Sequence, residues 1–138
     1  MSKQVGQTKA VGFQFGIRKT FSVASEKVWD FLFSEEGIQL WLGETEDELE
    51  LKKDFVTKSG IAGKVRVIKP YSHIRLNWKQ KDWHNMSTVQ IRVIGNKEKS
   101  TVAIHQEKLL NADQRVEMKM YWNEVMDKLG AALGNLSL

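Results

Sequence analysis

Acid–base or metal chemistry in this chain would have to use His73, His84 and His105, which lie eleven and twenty-one residues apart. No two have the four-residue spacing that sets a pair of imidazoles on one helix face, and no cysteine supplements them. A metal site is therefore not expected. The missing cysteines also exclude disulfides, iron–sulfur clusters and thiol catalysis. His84, in Lys81-Asp82-Trp83-His84-Asn85, has Asp82 two residues away and could act as a general base at a cavity mouth. The plainer reading is a solvated loop histidine. No Gly-x-Ser-x-Gly, phosphate loop, dinucleotide fingerprint or carboxylate pair in apolar surroundings occurs. No catalytic residue and no cofactor is assigned, and the balance leans away from an enzyme.

The residue types that remain suit binding. Five Trp, six Phe and two Tyr are a heavy aromatic load for 138 residues. Trp41, Phe55, Trp78, Met118 and Trp122 can all face one interior space, with Tyr121 and Met126 flanking it. Lining a cavity, they would suit a flat apolar molecule with adaptable thioethers at its edge. Otherwise they fill the core, as aromatics commonly do. Gln106 shares strand parity with Val102 and Ile104 and should point into the same space. There it either orients a ligand or bonds to backbone or another side chain.

Hydrophobic periodicity predicts the elements that hold these residues. Val11, Phe13, Phe15, Ile17 and Phe21 alternate with polar or small residues, the period of a half-buried strand. Ser25 suits a helix N-cap, Glu26 its first turn, and Val28, Trp29, Leu32 and Phe33 the apolar stripe. A second start at Ser34, with Glu35 and Glu36, predicts a short helix through Ile38 to Leu42, closed by Gly43. Strands follow. Leu49 and Leu51 alternate before a turn at Lys52-Lys53-Asp54, and residues 55–58 make a short partner. Ser59-Gly60 and Gly63 mark a turn, and Val65 and Val67 open a strand that ends at Pro70. Ile74, Leu76 and Trp78 form the next strand, and Val89, Ile91 and Val93 the one after. Gly95-Asn96-Lys97 is a hairpin loop leading to residues 101–104. Asn111 then caps a helix of about 20 residues, with Gln114 at the capping-box position and Met118, Trp122, Val125, Leu129 and Ala132 as its stripe. The order is one strand, two short helices, about six strands and one long helix.

An antiparallel sheet of some seven strands is wider than one helix, about 10 Å across, can cover. The gap is filled by large side chains or left as a cavity. This pattern resembles the family of activator of heat-shock-protein-90 ATPase homologues, within the START-like helix-grip (SRPBCC) superfamily, from about residue 13 to 133. The resemblance is carried by Ser25-Glu26-Lys27-Val28-Trp29, Gly37-Ile38-Gln39-Leu40-Trp41, Gly63-Lys64-Val65 through Lys69-Pro70, and Ile74-Arg75-Leu76-Asn77-Trp78. Thr101-Val102 to His105-Gln106-Glu107, and Trp122 seven residues before Leu129, complete it. It implies an α+β helix-grip fold, a sheet of six or seven strands on a long C-terminal helix. It also implies a small hydrophobic or amphipathic ligand, lipid-like or aromatic, held between them by Trp41, Phe55, Trp78, Gln106, Met118, Tyr121, Trp122 and Met126. The family name adds an alternative, an interaction module that stimulates a chaperone ATPase; cyclase- or hydrolase-like activity is a remoter one. Two departures add bulk near the family's cavity: Lys52-Lys53-Asp54 stands where a paired glycine is common, and Tyr121 where a glycine often precedes the helix tryptophan.

Length and charge set the remaining expectations. One domain is expected over residues 11–138, behind a flexible arm at 1–10. The net charge is only +4, but five acids fall within residues 44–50 and leave 21 basic against 12 acidic residues elsewhere. Outward strand positions Lys64, Arg66, Arg75, Lys79 and Arg92 should make the wet face basic, able to dock an acidic partner or simply to be solvated. No aromatics interleave on that face, so nucleic acid is not an expected partner. With no membrane span and no signal-like stretch at residues 1–7, a cytoplasmic monomer or weak dimer is expected.

Overall fold

The computed structural model describes residues 7–8 and 12–136. Among these residues seven strands and three helices run in the order β1 (Gln7–Thr8), β2 (Gly12–Phe21), α1 (Ser25–Leu32), α2 (Glu35–Trp41), β3 (Asp54–Val56), β4 (Ala62–Lys69), β5 (His73–Lys79), β6 (Ser87–Gly95), β7 (Ser100–Leu109) and α3 (Ala112–Leu136). All strands join one antiparallel sheet in the order β1-β2-β7-β6-β5-β4-β3. Consecutive strands pair as hairpins, except that α1 and α2 carry the chain from β2 at one side to β3 at the far edge. This is the expected α+β helix-grip arrangement, with α3 against the inner face. Of the expected arm, Gln7–Thr8 pairs with β2; its other residues lie outside the described ones. No helix among the described residues is long and apolar enough to cross a membrane.

Inward parity holds through β5, β6 and β7, where Ile74, Leu76, Trp78, Val89, Ile91, Val93, Val102 and Ile104 are buried. It slips in β4. The register moves from Val65↔Leu76 to Val67↔Arg75, so Arg66 is an extra residue in a bulge. Val67, expected inside, therefore faces out at 41% exposure, and Ile68 opposite Ile74 takes the inward place. Gly63, expected in a turn, lies within β4; a Cβ there would strike the Asn77 carbonyl and come within 2.8 Å of the Phe55 ring. Residues 49–51 do not form the expected strand. Lys52 turns the chain with a positive φ of 66°, a conformation glycine takes without strain, at the place where a paired glycine is common.

Helix starts follow side-chain chemistry with one exception. Ser34 caps α2 by accepting the Gly37 N–H at 3.1 Å, and Asn111 caps α3 by accepting the Gln114 N–H at 2.9 Å. Ser25, however, is the first residue of α1. Ala24 holds the cap position without a side-chain bond, and the Ser25 N–H donates to the Asn96 carbonyl instead. The helix α3 spans 25 residues rather than about 20.

Candidate functional site

The interior between sheet and α3 is packed with rings. Trp41, Trp78, Trp122, Gln106 and Met118 are fully buried, and Met126 and Phe55 nearly so. Around Trp78 stand Trp83, Tyr121 and Trp122, with ring centroids 5.4, 5.7 and 6.3 Å away. Gln106 points inward and its amide is occupied on both sides. The Trp122 Nε1–H donates to its Oε1 at 2.8 Å, and its Nε2–H donates to Ser87 Oγ at 2.9 Å. Ser87 in turn donates to the Trp78 carbonyl at 2.5 Å. The Trp78 Nε1–H is the exception, with no acceptor among the described residues.

Tyr121 locks this cluster to the helices. Its hydroxyl donates to the Trp41 carbonyl at 2.6 Å, and the Trp41 Nε1–H donates to the Leu32 carbonyl at 2.8 Å. Burial, with the Glu124 carboxylate second, pushes the Tyr121 hydroxyl above the usual phenol range, so it stays a donor at any physiological pH. Of the eight residues expected to line a ligand cavity, Phe55 and Tyr121 border shallow surface hollows of about 390 and 220 Å³. The other six border none of four cavities found along the described residues. His84 and Asp82 are exposed and likewise border none of the four.

The largest of those cavities, about 790 Å³, lies elsewhere, between α1, α2, the connection 43–50 and the end of β4. That volume is within the range of small-molecule sites. Trp29, Phe33, Ile38, Leu49, Ile68 and Pro70 supply its apolar surface. Trp29 and Phe33 lie with ring centroids 4.3 Å apart, and Tyr71 packs on Trp29 at 6.1 Å while donating to Asp30 at 2.7 Å. Gly37 allows α2 to approach α1, since a Cβ there would collide with the Phe31 carbonyl. The bulge in β4 turns Ile68 into the wall.

The exposed acidic connection is tied to the sheet and forms part of the groove. Thr45 Oγ1 donates to the Val56 carbonyl at 2.7 Å, and the Val56 N–H donates to Asp47 Oδ2 at 2.9 Å. These bonds occupy both backbone groups of Val56 on edge strand β3. Lys58 pairs with Glu44 at 3.0 Å and Lys53 with Glu50 at 2.7 Å. The hydrogen-bonded Lys53 ammonium, with Glu48 second, holds the Glu50 carboxyl below the usual carboxylate range. Sequence reasoning missed this groove because it assigned Leu49 to a strand and left Ile68 unplaced. The adjacent apolar pair Val67-Ile68, breaking an alternation, was the available signal.

The outer face is basic as expected. Strand register lines up Arg18, Ala103, Arg92, His73 and Lys69 across five strands, with Arg75 one pair along. None of these four cations at 18, 69, 75 and 92 has an ionic partner among the described residues. Desolvation, then the charges of Arg92, Lys69 and Arg75, holds the His73 imidazole below its ordinary range.

A family model described as Activator of Hsp90 ATPase homolog 1-like protein matches residues 22–134. No curated protein sequence matches the chain. Solved structures do. CalU16 from Micromonospora echinospora superposes with a TM-score of 0.77 at 18% identity, over 87% of this chain and 73% of its own. An HSP90 activator from Plasmodium falciparum gives 0.75 at 22% identity, over 88% and 96%. The Aha1 dimer from Colwellia psychrerythraea gives 0.71 at 13% identity, over 87% and 95%.

Proposed function

The chain belongs to the family of Activator of Hsp90 ATPase homolog 1-like proteins, and from that premise we propose that its helix-grip domain, residues 11–138, is a non-enzymatic module that binds a small amphipathic molecule. The observation that carries this is the groove of about 790 Å³, with an apolar floor and a polar rim, between α1, α2, the connection 43–50 and β4. The groove, and not the ring-filled interior behind Trp41, Trp78, Gln106 and Trp122, is the binding site in this reading. Interior packing of that density resists insertion of further atoms, whereas the groove is already open.

Native mass spectrometry and tryptophan fluorescence with decyl-chain amphiphiles of different headgroup test it. One-to-one saturable binding is expected for at least one headgroup, weakened about tenfold by Ile38→Gln, since that much follows from losing about 1.4 kcal/mol of apolar contact. No saturable binding of any decyl probe, or binding untouched by Ile38→Gln, would sink the reading.

A second reading, an interaction module acting on a chaperone ATPase, is favoured by the aligned cations Arg18, Arg92 and Lys69 with Arg75 beside them, none with an ionic partner among the described residues. Exposed charge of one sign steers an acidic partner. Here Arg75→Glu with Arg92→Glu should abolish any stimulation of the chaperone's ATP hydrolysis. A chaperone whose turnover ignores the unaltered protein removes this reading.

A further inference from the structure

The groove has a charge of its own. Five carboxylates, Glu35, Glu46, Asp47, Glu48 and Glu50, line it, and among the described residues no Lys, Arg or His does. Two of the five are committed, Asp47 to the Val56 N–H and Glu50 to Lys53. Glu35 and Glu46 have no ionic partner among the described residues, and Glu48 lies beside the Glu50–Lys53 pair, within the field of the Lys53 ammonium. Among the described residues no three acidic or imidazole groups converge closely enough to hold a metal ion. The carboxylates come from the start of α2 and from the connection 46–50, and line the same cavity as the aromatic pair Trp29 and Phe33. Outside residues 44–50 the chain carries 21 basic against 12 acidic residues, so the groove is a negative site on a positive molecule.

We propose that this groove takes an organic cation with an apolar body, such as an alkyl or aryl ammonium, its charge along the Glu46 and Glu48 wall and its body over Trp29, Phe33 and Ile38. The inference rests on the binding-module reading of the same groove. An ammonium ion gains from the exposed carboxylates, and its apolar body from contact with the groove's aromatic and aliphatic side chains. A sulfate or carboxylate headgroup would meet repulsion, and an uncharged one would leave the wall uncompensated.

Decyltrimethylammonium, decyl sulfate and decyl maltoside share one tail and separate the contributions. Titrations below their micelle concentrations, followed by ¹H–¹⁵N NMR at 20 mM and 300 mM NaCl, should show the ammonium binding tightest and the sulfate weakest. Added salt should weaken the ammonium several-fold, because the rim is exposed to screening. Glu46→Gln with Glu48→Gln, both exposed and outside the core, should weaken it three- to tenfold, as expected for a pair of surface carboxylates. The same pair should leave the maltoside unchanged. Equal affinity for all three headgroups, with shifts mapping to the groove, overturns the cation inference and leaves the binding module standing. No binding of any of the three, or shifts confined to other surfaces, overturns both.

Discussion

Trp122→Phe should lose about 3 kcal/mol of folding stability, while Trp78→Phe, an identical change one ring away, should lose less than about 1 kcal/mol. Both substitutions remove the same part of a fully buried indole, and the shared loss of packing is on the order of 1–2 kcal/mol. Their hydrogen bonds differ. Removing the Trp122 N–H strips Gln106 Oε1 of its donor in a place water does not reach, which adds about 1–3 kcal/mol. Removing the Trp78 N–H takes away a buried donor that has no acceptor among the described residues, and this relief offsets much of the lost packing. Urea denaturation midpoints with unchanged slopes would report the difference directly. Equal losses would show that the Gln106 bond contributes nothing beyond volume.

Gly37→Ala should cost about 3 kcal/mol and should also disturb the groove. The added methyl would overlap the Phe31 carbonyl and sit 2.9 Å from the Leu32 Cα, both of them backbone atoms that cannot rotate away. Either α2 moves off α1 or the end of α1 unwinds, each an overpacking cost of this order. Because Trp29 on α1 and Glu35 and Ile38 on α2 all line the groove, that displacement changes its shape. Gly134→Ala is the matched control. It lies in α3, and none of the described residues, the helix's own backbone aside, comes within 4 Å of the added atom, so the better helix propensity of alanine should leave stability equal or slightly raised. Thermal unfolding of both variants, together with decyl-probe titration of Gly37→Ala at a temperature where it is folded, checks the claim. A Gly37→Ala protein as stable as Gly134→Ala, binding as before, would contradict it.

Much of the fold was legible because period-two and period-four patterns are properties of the chain alone. Ile74, Leu76 and Trp78, or Met118, Trp122 and Leu129, declare their faces without knowledge of any neighbour. What escaped were features set by a partner strand. The β4 bulge depends on pairing with β5, and it exchanges Val67 for Ile68 on the inner face. The acids of the connection 44–50 are exposed, as a solvated run should be, but its pattern does not say that Thr45 and Asp47 bond to Val56 of β3. The aromatic cluster was located correctly between sheet and helix, but parity could not say how the rings meet. Tyr121 decides that, with its ring 4.8 Å from Trp122 and its hydroxyl on Trp41. The groove was illegible for the same reason. Its walls come from four separate stretches, and only the bulge and the Gly37 approach bring them together.

The five tryptophans offer the most direct measurement of where a ligand goes, since each indole N–H gives its own NMR signal. Trp29 lines the groove, whereas Trp78 and Trp122 are fully buried behind Tyr121. Titration with decyltrimethylammonium should move the Trp29 indole signal progressively while those of Trp78 and Trp122 stay fixed. Movement of Trp78 and Trp122 with Trp29 unchanged would place the ligand between sheet and α3 and contradict the account.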